Sequence, residues 1–182
     1  IFASALAGPL YGQLIVAPVE HLMMPENTLA AFRLAWEQGA DAIEGDFYLS
    51  SDGQIVCIHD KDTERVSGTK LVVTKTPFAT LRSLDVGAWK GTKWRGEKIP
   101  TLQEVIDTIP SGKQIFIELK MGPEIVAPLA KVLKASSLQV DQIVIIAFDE
   151  KTIAECKKRL PQLETQWLTG FKNEKKDATG LW

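Results

Sequence analysis

The strongest constraint on this chain is an alternation, along most of its length, of short apolar runs with amphipathic stretches of helical period. Residues 14–19 form an apolar run, and Pro25-Glu26-Asn27 marks a turn after it. Leu29, Phe32 and Trp36 then share one face of a helix that stops at Gly39. Residues 42–49 read as a second strand, Asp52-Gly53 as a hairpin turn, and residues 55–59 as a third strand. A long loop leads to Thr76-Pro77, residue types that suit a helix start, ahead of Leu81 and Leu84. Thr101 and Glu104 have the spacing of a capping box, with Leu102, Val105, Ile106 and Ile109 in helical period behind them. Residues 115–119, 143–148 and 166–171 are the remaining strands. Between them lie a helix over 124–134, with Pro128 as a kink site, and one capped by Asp149 that carries Ile153, Cys156 and Leu160 and ends at Pro161.

Apolar strands alternating with amphipathic helices mean parallel β/α units, either a doubly wound sheet or a (β/α)₈ barrel. Neither G-x-G-x-x-G nor a P-loop follows the first strand, and polar residues at several strand ends favour the barrel. Six strands can be counted, so the expected fold is α/β, a TIM barrel with about six of its eight strands, in a single domain over residues 1–182. The seventh and eighth units are expected beyond Trp182, and the open sheet edges favour self-association. Composition excludes several classes. Lysine and arginine total 21 against 23 acids, a formal charge of -2, which weighs against nucleic acid as a partner. No apolar run nears the roughly 18 residues of a membrane span. Cys57 and Cys156 lack C-x-x-C spacing, so zinc and thiol redox chemistry are poor fits. Ala5-Leu6-Ala7 before Gly8 has the small residues that end a signal peptide, without the charged and apolar regions that precede one. A soluble protein, cytoplasmic or else periplasmic or secreted, fits either way. Residues 172–182 are polar, aperiodic and loop-like.

The chemistry-bearing residues gather at strand ends. In Ile43-Glu44-Gly45-Asp46-Phe47 the alternation of side chains puts Glu44 and Asp46 on one face, about 7 Å apart. On an antiparallel sheet that face would be solvated. Inside a barrel, two acids are costly to bury unless they are paired or hold a cation. Glu118 interrupts the apolar strand Ile115-Phe116-Ile117-Glu118-Leu119 in the same way, and with Lys120 it could form a simple terminal ion pair. Three carboxylates with little imidazole and no thiolate make a hard-oxygen set suited to Mg²⁺ or Ca²⁺. His59-Asp60 follows Ile55-Val56-Cys57-Ile58. A lone histidine after an apolar run is more often structural, but this one ends a strand as the acids do.

These residues carry a resemblance. Pro25-Glu26-Asn27-Thr28-Leu29-Ala30-Ala31-Phe32, Gly39-Ala40-Asp41, Ile43-Glu44-Gly45-Asp46, Asp52-Gly53 and His59-Asp60 resemble the glycerophosphodiester phosphodiesterase family. So do Leu84-Asp85-Val86-Gly87, Gly96-Glu97-Lys98-Ile99-Pro100-Thr101-Leu102 and Ile117-Glu118-Leu119-Lys120, in order along the chain. The resemblance implies a TIM barrel with a small insertion after the second strand. It implies hydrolysis of a small-molecule glycerophosphodiester to glycerol 3-phosphate and an alcohol, with a divalent metal. Glu44, Asp46 and Glu118 would be the metal ligands, His59 one of two acid–base histidines, and Lys120 a contact to the phosphate or to the outer shell of the metal site. One departure stands out. The family's first strand ends in His-Arg-Gly, where this chain has Ala17-Pro18-Val19. His21 follows four residues after Ala17, and only a re-routed loop would make it a substitute. Impaired catalysis is therefore expected. The alternative is a non-catalytic barrel remnant that binds a phosphate ligand or a partner subunit.

Overall fold

A computed structural model describes residues 16–18 and 24–169. It has six strands: β1 (Val16–Pro18), β2 (Ala42–Leu49), β3 (Ile55–Cys57), β4 (Gln114–Leu119), β5 (Ile143–Ala147) and β6 (Glu164–Trp167). Five of them run parallel in the order β1-β2-β4-β5-β6, and β3 pairs antiparallel with β2, off that path. The sheet is that of a TIM barrel, left open among the described residues. All six expected strands are present, but the third is the return arm of a hairpin, so the barrel series numbers five here.

Six α-helices accompany the strands: α1 (Leu29–Glu37), α2 (Glu64–Ser67), α3 (Phe78–Ser83), α4 (Leu102–Ile106), α5 (Val126–Ala135) and α6 (Glu150–Arg159). Local chemistry explains their ends. The Thr28 hydroxyl accepts from the Ala31 amide, and Gly39 at φ 84° closes α1, with Gly39 N donating to Trp36 O and Ala40 N to Ala35 O. The capping box of Thr101 and Glu104 forms as its spacing requires. Asp149 caps α6 by accepting from the Thr152 amide at 2.8 Å. At α3 the expectation changes: Thr76 turns its hydroxyl back to Val72 O, and the Phe78 amide donates instead to Asp52 of the β2–β3 turn. Pro128 makes no kink point in mid-helix, since it is the third residue of α5, where amides lack helical acceptors anyway. β6 begins two residues before the expected Gln166, and Phe171 lies outside the described residues.

Alternation along the strands divides the sheet into two faces. Ile43, Phe47, Ile115, Ile117 and Ile145 point to the helices and are wholly buried against Phe32 and Leu129. Each such side chain contributes about 1.5–3 kcal/mol. On the other face a small cluster of Ala42, Phe116, Val144 and Ile146 underlies Glu44, Asp46 and Glu118. A third cluster, including Tyr48, Ile58, Val66 and Leu81, packs the β3 arm and the loops after it.

Candidate active site

The acids are brought together by register. Asp46 of β2 stands directly opposite Glu118 of β4, and Glu44 lies one layer below, opposite Phe116. One carboxylate oxygen from each of Glu44, Asp46 and Glu118 lies within 4.8 Å of the others. Asp46 is the most deeply placed, at 6% exposure. Gly45 between them faces the helices, where an added Cβ would come 3.2 Å from Cys57 Sγ, Phe32 Cζ and Phe47 Cε2. The absence of a side chain lets β2 press against α1 and β3 while its acids line the opposite face.

Lys120 completes the constellation. Its ammonium is 2.8 Å from Glu118 and 3.2 Å from Asp46, so it bridges two strands where a simple terminal pair with Glu118 was the alternative. Burial alone would lower its pKa, but the Glu118 hydrogen bond and the Asp46 charge override burial and raise it. Lys120 therefore stays charged. Three carboxylates against one ammonium still leave two negative charges. Oxygen donors at this spacing, on a scaffold of β-strands, fit a hard divalent cation such as Mg²⁺ or Ca²⁺.

His59 arrives by a different route from the one its strand-end position suggested. Because β3 is antiparallel, the hairpin carries the chain back along β2, and the Ile58 amide donates to Asp46 O at 2.9 Å. His59 is the next residue. Its Nδ1 is 2.8 Å from Asp60 Oδ1. Burial pulls the imidazole pKa down, yet the Asp60 hydrogen bond and the Asp46 charge outweigh burial and set it above the usual histidine value. The carboxyl of Asp60 is held low in turn: burial opposes ionisation, and the hydrogen bonds from Arg65 and His59 prevail.

Two participants were not picked out from sequence. Asn27, buried and at φ 54°, donates from Nδ2 to Asp46 Oδ2 at 2.9 Å. Its Oδ1 accepts from the Asp46 amide and from Cys57 Sγ. In the sequence it read as a turn residue and as part of the family-like segment of residues 25–32, with no role of its own assigned, although an asparagine is one of the few residues that tolerates a left-handed backbone. Arg65 donates to both Asp60 and Glu26. Of the remaining positions, Pro18 at the end of β1 is in register with Glu44, which puts the Ala17-Pro18 pair at the rim of the site. Val19 and His21 lie outside the described residues.

With carboxylates on two adjacent parallel strands, a lysine and a histidine–aspartate pair in place, comparison with known proteins is decisive. Residues 21–181 match the model of the glycerophosphoryl diester phosphodiesterase family. The chain belongs to this family. A glycerophosphodiester phosphodiesterase of Caldanaerobacter subterraneus subsp. tengcongensis is 37% identical over 148 residues, which cover 78% of this chain and 60% of that protein. Among solved structures, an Oleispira antarctica phosphodiesterase in complex with the product sn-glycerol-3-phosphate superposes with a TM-score of 0.78 at 34% identity, covering 83% of this chain and 64% of that one. A glycerophosphodiester phosphodiesterase of Agrobacterium tumefaciens gives a TM-score of 0.72 at 29% identity, with 83% and 64% covered. The chain thus spans 60% of the length of the curated phosphodiesterases heading these matches. Among the described residues, no helix is long and apolar enough to cross a membrane.

Proposed function

We propose that the protein is a metal-dependent phosphodiesterase that hydrolyses glycerophosphodiesters to glycerol 3-phosphate and an alcohol, with residues 1–182 forming one domain of the family. In this reading Glu44, Asp46 and Glu118 hold Mg²⁺ or Ca²⁺, His59 moves the proton and Lys120 meets the phosphate. The observation that carries it is the meeting of three carboxylate oxygens within 4.8 Å of one another. Without a dication, the two excess negative charges there would repel a diester anion. A bound dication supplies positive charge at the phosphoryl oxygens as negative charge builds on them.

The side chains of the chain itself account for orientation and proton transfer. Lys120, held between Glu118 and Asp46, would present its ammonium to the phosphate. Asp60 accepts from His59 Nδ1, which leaves Nε2 to exchange a proton with substrate. As water forms a new P–O bond and the P–O bond to the alcohol breaks, Nε2–H of the imidazolium would protonate the departing alkoxide, while the proton of the attacking water passes to solvent with the glycerol 3-phosphate. The Asp60 carboxylate beside Nδ1 favours the charged imidazolium that this step uses. One feature favours a second reading, binding without turnover: Ala17 and Pro18 stand beside Glu44 where the family resemblance places a histidine and an arginine. Self-association is proposed as well, since β1 and β6 each have a single strand neighbour among the described residues.

The test is release of glycerol 3-phosphate from glycerophosphocholine, with Mg²⁺ or Ca²⁺ titrated into chelator-treated protein. Cation-dependent release that is lost in Glu44→Gln supports hydrolysis. Cation binding by calorimetry with no release supports the binding-only reading, and neither binding nor release overturns both.

A further inference from the structure

We infer that Arg65 is a positioning residue that locks His59 and Asp46, which belong to two different parts of the fold, into one frame. The inference rests on the phosphodiesterase reading above. Asp46 is on the barrel sheet, and His59 follows the antiparallel arm. Arg65 sits on α2, a helix of four residues ended by Gly68 at φ 71°. Its Nε donates to Asp60 Oδ2 at 2.6 Å, and Asp60 Oδ1 holds His59 Nδ1. On the other edge of the guanidinium, Nη1 donates to Glu26 Oε2 at 3.0 Å and Nη2 to Glu26 Oε1. Glu26 is covalently next to Asn27, whose side-chain amide contacts Asp46 twice. One planar cation thus joins the proton-transfer side of the site to the carboxylate side.

An exposed ion pair is ordinarily worth little, and the Arg65 side chain is 42% exposed. What sets this arginine apart is the use of all three nitrogens on two carboxylates, with the guanidinium carbon 5.6 Å from the centre of the Trp89 ring. Such a fork fixes direction as well as distance. A lysine at position 65 would supply the charge from a single point and could not serve both carboxylates. The expected consequence of losing Arg65 is therefore misplacement of the imidazole rather than unfolding.

The test has an arm that needs no turnover. In the unmodified protein, ¹⁵N NMR of the neutral imidazole should find His59 in the Nδ1–H tautomer, since Asp60 accepts there. His59→Gln assigns the signal, the sequence having only 2 histidines. Folded Arg65→Ala should show mixed tautomers, and Arg65→Lys should not restore the single one. In the kinetic arm, Arg65→Ala should lower kcat by about 10- to 100-fold with KM little changed, the usual range for groups that hold a site residue in place. Combined with Asp60→Ala, it should lose less than the product of the two single losses, because the two act in series. An unchanged His59 tautomer in folded Arg65→Ala, or fully multiplicative losses, would overturn the inference. If the unmodified protein released no glycerol 3-phosphate, the functional reading would fall, and the tautomer would still decide the role of Arg65.

Discussion

Replacement of Asn27 should destabilise the protein in a graded order that separates its two jobs. Asn27→Ala removes a hydrogen bond to an ionised carboxylate, the one at 2.9 Å to Asp46 Oδ2. A bond of that kind contributes about 1.5–3 kcal/mol. It also strips the buried Asp46 amide of its Asn27 acceptor, and places a Cβ-bearing residue without a side-chain polar group at φ 54°. The left-handed backbone adds about 1 kcal/mol for alanine. Together the hydrogen bond and the backbone amount to about 2.5–4 kcal/mol. Asn27→Gly loses the same hydrogen bonds but not the backbone preference, so it should recover about 1 kcal/mol. Asn27→Asp keeps an acceptor for the Asp46 amide and sets a second carboxylate against Asp46. Like charges raise the pKa of such a pair, so this variant alone should gain stability relative to the parent as pH falls and one proton is taken up. Equilibrium urea denaturation, at pH 7 and again at pH 5, measures all three. Equal losses in the alanine and glycine variants would refute the backbone part. An aspartate variant as stable as the parent at pH 7 would refute the carboxylate part.

Further outcomes concern the cation, the first strand and the histidine. Millimolar Mg²⁺ or Ca²⁺ should raise the melting temperature, by the equivalent of about 2.7 kcal/mol when the cation is at 100 times its Kd; Glu44→Gln with Glu118→Gln should abolish the response, and an unchanged melting curve for the folded parent would count against a metal site. Turnover of glycerophosphodiesters by the unmodified chain should be slow. Ala17→His with Pro18→Arg and Val19→Gly should raise it by about 10²- to 10⁴-fold, the range for a general acid or base, and family-level turnover without them would point to His21. In chelator-treated protein the His59 pKa should lie above 6.5 by NMR and fall in Asp60→Asn. The stability this provides is complete below the unfolded-state value and is lost as pH rises through the folded one.

What could be read from the chain beforehand follows a physical divide. That the acids share a face was legible because alternation is a local property, two residues apart in β2, and register with β4 did the rest; their place at a strand end was not, since β2 runs on to Leu49 and only Glu118 is near the end of its strand. The capping box of Thr101 and Glu104 was legible for the same reason, its partners being three residues apart. Asn27 and Arg65 were not. The Asn27–Asp46 and Arg65–Glu26 bonds span 19 and 39 residues, and such contacts leave no periodic trace in the sequence. The start of α3 was misread because Asp52, 26 residues upstream, outcompetes the adjacent Thr76 for the Phe78 amide. Likewise the hairpin turn at Asp52-Gly53 was visible, but its consequence, that β3 leaves the barrel series, depends on pairing with β2 alone.

β3 itself is anchored in the main core by Ile55 and Cys57, but the arm that continues from it packs on a second apolar cluster, and this bears on how the protein breathes. Elements that pack on their own core tend to open as their own cooperative unit, with amide exchange rates distinct from the rest of the fold. The carboxylates belong to the sheet, and the imidazole to the arm. On the reading proposed above, a partial opening of that arm would carry His59 away and leave Glu44, Asp46 and Glu118 in place on the sheet. In such an excursion the proposed cation site would persist while proton transfer stopped.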